Sequence, residues 1–282
     1  MANKVLITGK IKSWQRYLFY VSFLSLFSLL LAPFGLAWPG FGVFLTSFFA
    51  GVIFFGYLGF LFSALRHSTA SRVFVLTGAV SAIATLLLAS LFLGDTFNTA
   101  KILGILMLVF GGFFISFKFY RKRFFSSYKK VILAGILYAV ALVVLKHSFD
   151  SQNFISGYIY SRLGIVAMAG LSLTVPSFRK KVFPLFKKGK RSENASQFAL
   201  IAAVKSLAGV ATALLNYAIA IGSVTIISAL VSVQYLFVFA LSIIFGFLFQ
   251  DMLRENMNRT NVLTKALGVV SIVAGVFLVT IK

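Results

Sequence analysis

Lys101-Ile102-Leu103-Gly104 is followed seven residues later by Gly111, and Lys265-Ala266-Leu267-Gly268 is followed seven residues later by Gly275. Before each stretch lies one strongly apolar segment and a short polar break. The break is Gly94-Asp95-Thr96 in the first copy and Gln250-Asp251 in the second. A unit that recurs inside an apolar chain predicts two related halves, the architecture of a membrane transporter.

Working outward, the composition fits that frame. Of the 282 residues, 60% are hydrophobic, 11% are charged and 34 are Phe. A soluble domain could not keep so much apolar surface dispersed. Nine segments approach or exceed the roughly 20 residues needed to cross a ~30 Å hydrocarbon core. They are 17–37, 41–65, 72–93, 99–117, 131–149, 155–176, 197–221, 224–249 and 262–281. Backbone polar groups in lipid need internal partners, so all nine are expected to be helices. The segment after the basic N-terminal stretch is too long for a signal-peptide core and is read as the first span. The chain has no cysteine, which excludes disulfides and thiolate chemistry.

A net charge of +22 would point to nucleic acid in a soluble protein. Here 22 of the 27 basic residues fall in alternate connections: 1–16, 66–72, 118–130, 179–191 and 254–265. The other face carries only Lys101, Lys146 and Lys282, and Arg162 and Lys205 fall inside predicted helices. The positive-inside rule therefore puts the N-terminus in the cytoplasm and, with nine spans, the C-terminus outside. Basic residues in 118–130 alternate with Phe119, Tyr120, Phe124, Phe125 and Tyr128. Beside a membrane helix that pattern is expected to rest on anionic lipid headgroups rather than on nucleic acid.

Matching the third and fourth spans to the eighth and ninth gives an offset of five helices. Five is odd, so the copies cross in opposite directions, as an inverted repeat. The predicted fold is an all-α polytopic membrane protein in two halves. Residues 1–130 give four helices and the basic connection, and residues 131–282 give five.

The chain resembles the EamA-type transporters of the drug/metabolite transporter superfamily. The likeness is carried by Ala64-Leu65, Ser81, Leu93-Gly94-Asp95, Leu103-Gly104 and Gly111-Gly112 in the first half. In the second it is carried by Asn216-Tyr217-Ala218, Ser232-Val233-Gln234-Tyr235, Leu267-Gly268 and Gly275. It covers about 64–117 and 131–281. The resemblance implies ten helices in two inverted five-helix halves, a central cavity, and alternating access for small metabolites. Against that pattern the usual first helix is missing, Asp95 stands where Glu is commoner, and Phe249–Thr264 is longer and more polar. A missing helix leaves the cavity wall incomplete, or filled by a neighbouring copy in a homo-oligomer. The charge pattern also runs the shared helices opposite to the usual orientation, in which both termini are cytoplasmic.

Polar groups at membrane depth are costly enough to be functional candidates. Arg162 lies about seven residues into the sixth span, roughly 10 Å down at 1.5 Å per residue, and Lys205 is comparably deep from the opposite face. Long stems let both snorkel or pair. Yet all five acids (Asp95, Asp150, Glu193, Asp251, Glu255) lie at segment ends or in connections. An unpaired guanidinium facing a cavity calls for water or an anionic ligand. Asn216 and Gln234 either bond across helices or touch substrate. Tyr217, Tyr235 and Tyr57 either pack or offer stacking and a hydrogen bond.

Two histidines, no cysteine and no acid at membrane depth leave nothing for a metal site or an acid dyad. The chain is expected not to be an enzyme and to use no cofactor. The leading expectation is a carrier or facilitator in the cytoplasmic membrane, moving a small anionic or zwitterionic metabolite. The alternative is a non-transporting scaffold or a lipid scramblase or flippase.

Overall fold

Long runs of Phe, Leu, Ile and Val, free of acids, leave the backbone no partner but itself, so helices form along the chain. The computed structural model describes residues 13–67, 70–116, 127–182, 191–231, 233–234, 237 and 259–280; for 70–72, 115–116, 191–205, 259–262, 265 and 280 it describes the backbone alone. Among the described residues every regular element is helical.

The first span begins at α1 (Trp14–Leu24), where the Ser13 hydroxyl accepts a hydrogen bond from the Arg16 amide at 3.3 Å. It then tightens into a 3-10 helix, Ser25–Phe34, of 10 residues. Runs of that kind rarely exceed three or four residues. Gly35 (φ 134°) and Gly40 (φ 91°) turn the chain, adopting backbone angles that only glycine takes without strain. There follow α2 (Phe41–His67), α3 (Ala70–Phe92), α4 (Thr99–Ser116), α5 (Tyr128–Ser151) and α6 (Phe154–Ser172). The chain then gives α7 (Pro176–Val182), α8 (Arg191–Ile221), α9 (Val224–Leu230) and α10 (Arg259–Thr280).

Five of these helices are long and apolar enough to cross a membrane: Trp14–Phe34, Phe41–His67, Val73–Phe92, Tyr128–Ser151 and Phe154–Ser172. Three apolar helical stretches are shorter: Thr99–Phe114, Ser206–Ile221 and Ala266–Val279. Phe60, Leu91, Phe110, Leu133 and Phe277 lie exposed on the outside of the bundle. A surface of that kind belongs against lipid. The chain is a helical membrane protein.

Two sequence expectations change. The basic connection 177–196 is helical over much of its length. Pro176 opens α7, where a missing N–H costs nothing, and α8 starts at Arg191, ahead of the expected 197. The polar residues 191–196 simply extend a helix whose apolar part lies further on; its 31 residues measure about 46 Å, more than a ~30 Å core. Of the expected span 224–249, α9 is the described part, and most of the rest lies outside the described residues.

Three apolar clusters hold the bundle. One packs Tyr17, Leu18, Phe62, Leu65, Val131 and Ile165 from α1, α2, α5 and α6. A second joins α3, α4, α9 and α10 through Val75, Ile105, Leu108, Ala229 and Ile272. The third gathers Ala50, Leu142, Leu145, Phe149, Tyr158 and Ile219 toward the ends of α2, α5, α6 and α8.

The most extensive seam among the described residues is α4 against α10. A Cβ on Gly104 would stand 2.9 Å from the Gly275 carbonyl oxygen, and one on Gly111 2.7 Å from that of Gly268. Residue numbers rise along one helix as they fall along the other, so the pair is antiparallel. Only a hydrogen fits at these positions, and the backbones meet. Ser271 adds a hydrogen bond from its hydroxyl to the Met107 carbonyl at 2.9 Å.

Candidate functional site

Arg162 is set by a similar crossing. A Cβ on Gly51 of α2 would run into the Ser161 carbonyl oxygen, and one on Gly164 of α6 into that of Phe48. With α2 and α6 in backbone contact, Arg162, next to Ser161, has no outward path along that face. The start of α6 is also pinned. Asn153 caps it by accepting from the Ser156 amide at 2.8 Å, while its Nδ2 donates to the Gly35 carbonyl at 2.8 Å. The Ala37 amide donates to Ser156 Oγ at 2.9 Å, and the Tyr160 hydroxyl donates to the Ala37 carbonyl at 3.0 Å. The turn 35–40 is thereby tied to the helix that carries the arginine.

Arg162 is 7% exposed, and its Nε is buried without a hydrogen-bond partner among the described residues. Its guanidinium lies 4.4 Å from the centre of the Tyr158 ring and 5.6 Å from that of Phe54. Cation–π attraction of about 2 kcal/mol when desolvated offsets part of the several kcal/mol that a buried charge costs. It supplies no acceptor for the five N–H groups. Among the described residues the ion pair present is Lys146–Asp150 at 2.8 Å, at the far end of α5, where Lys146 Nζ also donates to the Ala220 carbonyl at 3.1 Å.

Arg162 lines a cavity of about 770 Å³, within the size range of small-molecule sites. Its polar end also holds Tyr57, Tyr138, Tyr158, Thr212 and Asn216. Tyr57 and Tyr138 stack at 4.6 Å, and Phe54 sets its edge on Tyr57 at 5.1 Å. Asn216 is 5% exposed; its Nδ2 donates to the Thr212 carbonyl at 2.7 Å. An amide carries a carbonyl oxygen besides its NH2. Arg162 is the one charged side chain among the described residues that line the cavity.

The structure thus brings together three of the expected residues: Arg162, Asn216 and Tyr57. Tyr217 is half exposed and sets its ring edge-on to Phe154 at 5.3 Å, away from the cavity. Neighbouring helix positions point about 100° apart, and here Leu215 and Asn216 line the cavity while Tyr217 turns past its edge. Gln234 is exposed and does not line the cavity. Lys205 lies on α8, but its side chain, like Tyr235 as a whole, falls outside the described residues. Sequence reasoning missed Phe54, Tyr138 and Tyr158. For Tyr158 a signal existed: it precedes Arg162 by one helical turn, the spacing that puts two side chains on one face.

Where α2 begins and α5 ends, the Gln152 amide donates to the hydroxyls of Ser47 and Ser148 at 2.6 Å each, and those hydroxyls are 2.5 Å apart. The Ser223 hydroxyl donates to Asp95 at 3.2 Å, joining the turn after α3 to the start of α9. Both are ties between helices.

No family model and no curated protein matches the chain. It is similar in fold to a solved structure described only as the crystal structure of a protein, with a TM-score of 0.67 and 16% sequence identity. The superposition covers 99% of this chain and 91% of that one. At that identity the likeness bears on the fold alone.

Proposed function

We propose that the protein is a carrier, or a facilitator working by alternating access, for a small anionic or zwitterionic metabolite. The observation that carries this is Arg162: a buried guanidinium without an acid partner among the described residues, facing a cavity large enough for a metabolite. An arginine in that position is expensive unless something anionic visits it. Asn216 and the tyrosines supply neutral contacts around it.

The resemblance to EamA-type transporters and the inverted repeat belong to the same proposal. If residues 101–111 and 265–275 are copies, exchanging them turns the contact Gly104–Gly275 into Gly268–Gly111. Both contacts occur at the α4–α10 seam, which supports a two-fold axis in the membrane plane. In this reading nine helices cross the cytoplasmic membrane, with the N-terminus inside and the C-terminus outside. A reporter fused after Lys282 that works only in the cytoplasm should then stay silent; a bright signal refutes that topology.

The functional test is exchange of labelled organic anions in proteoliposomes, with candidates drawn from metabolites that differ between cells with and without the gene. Arg162→Gln should weaken the exchange, seen as a raised apparent KM for the anion. No anion exchanged by the parent protein would sink the carrier reading.

A further inference from the structure

Away from the arginine the lining of the cavity is mostly apolar. It comprises Leu58, Leu61, Phe62 and Phe74, with Val21 and Leu24, and its polar groups there are the small hydroxyls of Ser25, Ser28 and Ser206. Phe54, which touches the guanidinium, and Phe62 both line it and lie eight residues apart on α2. That separation puts Phe62 about 12 Å along the helix from the level of the guanidinium contact, beyond Tyr57. A small polar ion at Arg162 would leave this length filled with water against hydrocarbon.

The border of the cavity is apolar too. Phe27 and Leu30 of the 3-10 helix and Val210 of α8 line it while being 63%, 71% and 59% exposed. Leu207 and Leu214 continue the exposed apolar face of α8 beyond the border. The 3-10 helix and α8 scarcely touch among the described residues. The chamber is therefore flanked by a surface suited to acyl chains, and among the described residues that line it Arg162 is the charged one.

We propose that the Arg162 chamber takes an anionic amphiphile. Its oxyanion head sits on Arg162, and its aliphatic tail lies along Leu58, Leu61, Phe62 and Phe74, having entered from the bilayer between the 3-10 helix and α8. The proposal rests on the reading of Arg162 as the anion-holding residue and narrows its ligand from a polar metabolite to one with a tail. A carboxylate and a phosphate monoester offer the same oxygens to a guanidinium, so the head is defined by charge.

The test uses the full chain in nanodiscs and measures binding of straight-chain carboxylates from butyrate to decanoate, with decyl phosphate as a second head. Discs carrying Arg162→Gln are subtracted, which removes partition into lipid. The arginine-dependent affinity should rise by roughly a hundredfold or more from butyrate to decanoate, since each buried methylene contributes ~0.8 kcal/mol. Decyl phosphate should bind as well as decanoate; binding of one head alone assigns the source of the oxyanion and leaves the amphiphile in place. Affinity that does not change with chain length overturns the amphiphile and keeps Arg162 as an anion site. No arginine-dependent binding of any acid overturns both readings. Should Arg162→Gln fail to fold, Ala213→Phe, which fills the cavity wall without altering charge, decides. It should lower the decanoate-to-butyrate affinity ratio at least tenfold, and an unchanged ratio overturns the proposal.

Discussion

The α4–α10 seam and the Arg162 chamber are built from the same kinds of residue and reach opposite results. At the seam, glycines seven residues apart let two backbones touch, and no space is left. Around Arg162 the glycines Gly51 and Gly164 close α2 on α6, while Phe54, Tyr57, Tyr138 and Tyr158 line the open space beside that crossing. Small residues set where the bundle is shut. Aromatic rings line the part that is open. In a solvent as apolar as the helices themselves, packing and backbone approach decide association, so the distribution of the two residue classes becomes the map of the cavity.

Breaking that division should have its largest effect at a closed crossing. Gly51→Leu places a side chain against the Ser161 carbonyl and is expected to lose the folded protein, well beyond the 1–3 kcal/mol of ordinary overpacking. Gel filtration after mild heating would report it, and a variant as heat-resistant as the parent would mean α2 and α6 do not touch as described. Gly111→Ala, with its Cβ about 2.7 Å from the Gly268 carbonyl, should cost less, on the order of 1–3 kcal/mol, because α10 can shift.

On the open side, Arg162→Gln should raise the apparent KM for an anion at least tenfold and leave the melting temperature unchanged or higher. The reason is that a buried charge without an acid partner is removed. A sharp fall in melting temperature would show that the arginine serves packing instead. Tyr158→Leu removes the ring under the guanidinium and should weaken anion binding several-fold, consistent with a cation–π contribution of about 1–2 kcal/mol. The smallest effect is expected at Gly209, where a Cβ would meet nothing within 4 Å. Gly209→Ala should stabilise α8 by at most ~1 kcal/mol, visible as a slight rise in melting temperature.

Much of this division can be read from the sequence, and the reasons it stops are physical. The spacing of Gly104 and Gly111, and of Gly268 and Gly275, marks one helical face twice. The structure joins those faces. Burial of Arg162 follows from its depth within an apolar run and from the lack of nearby acids. The aromatic wall was harder. Tyr57, Tyr138 and Tyr158 come from three helices, and in a chain with 34 Phe and 10 Tyr no single ring stands out until the helices are assembled. Tyr217 lies just past the edge of the face of α8 that lines the cavity, and one sequence does not show where that edge falls. The 3-10 form of Ser25–Phe34 left no mark, because its apolar composition suits either helix.

That last element has a mechanical consequence. At about 2.0 Å per residue, against 1.5 Å in an α-helix, its 10 residues reach roughly 5 Å further than an α-helical segment of the same length. They also wind differently: three residues per turn instead of 3.6 accumulates about 200° of extra rotation. The segment is therefore geared like a screw. Relaxing it to the α form would draw its ends together by one helical turn's length and swing Phe27 and Leu30 progressively around the axis, exchanging extension for torque without bending the rod.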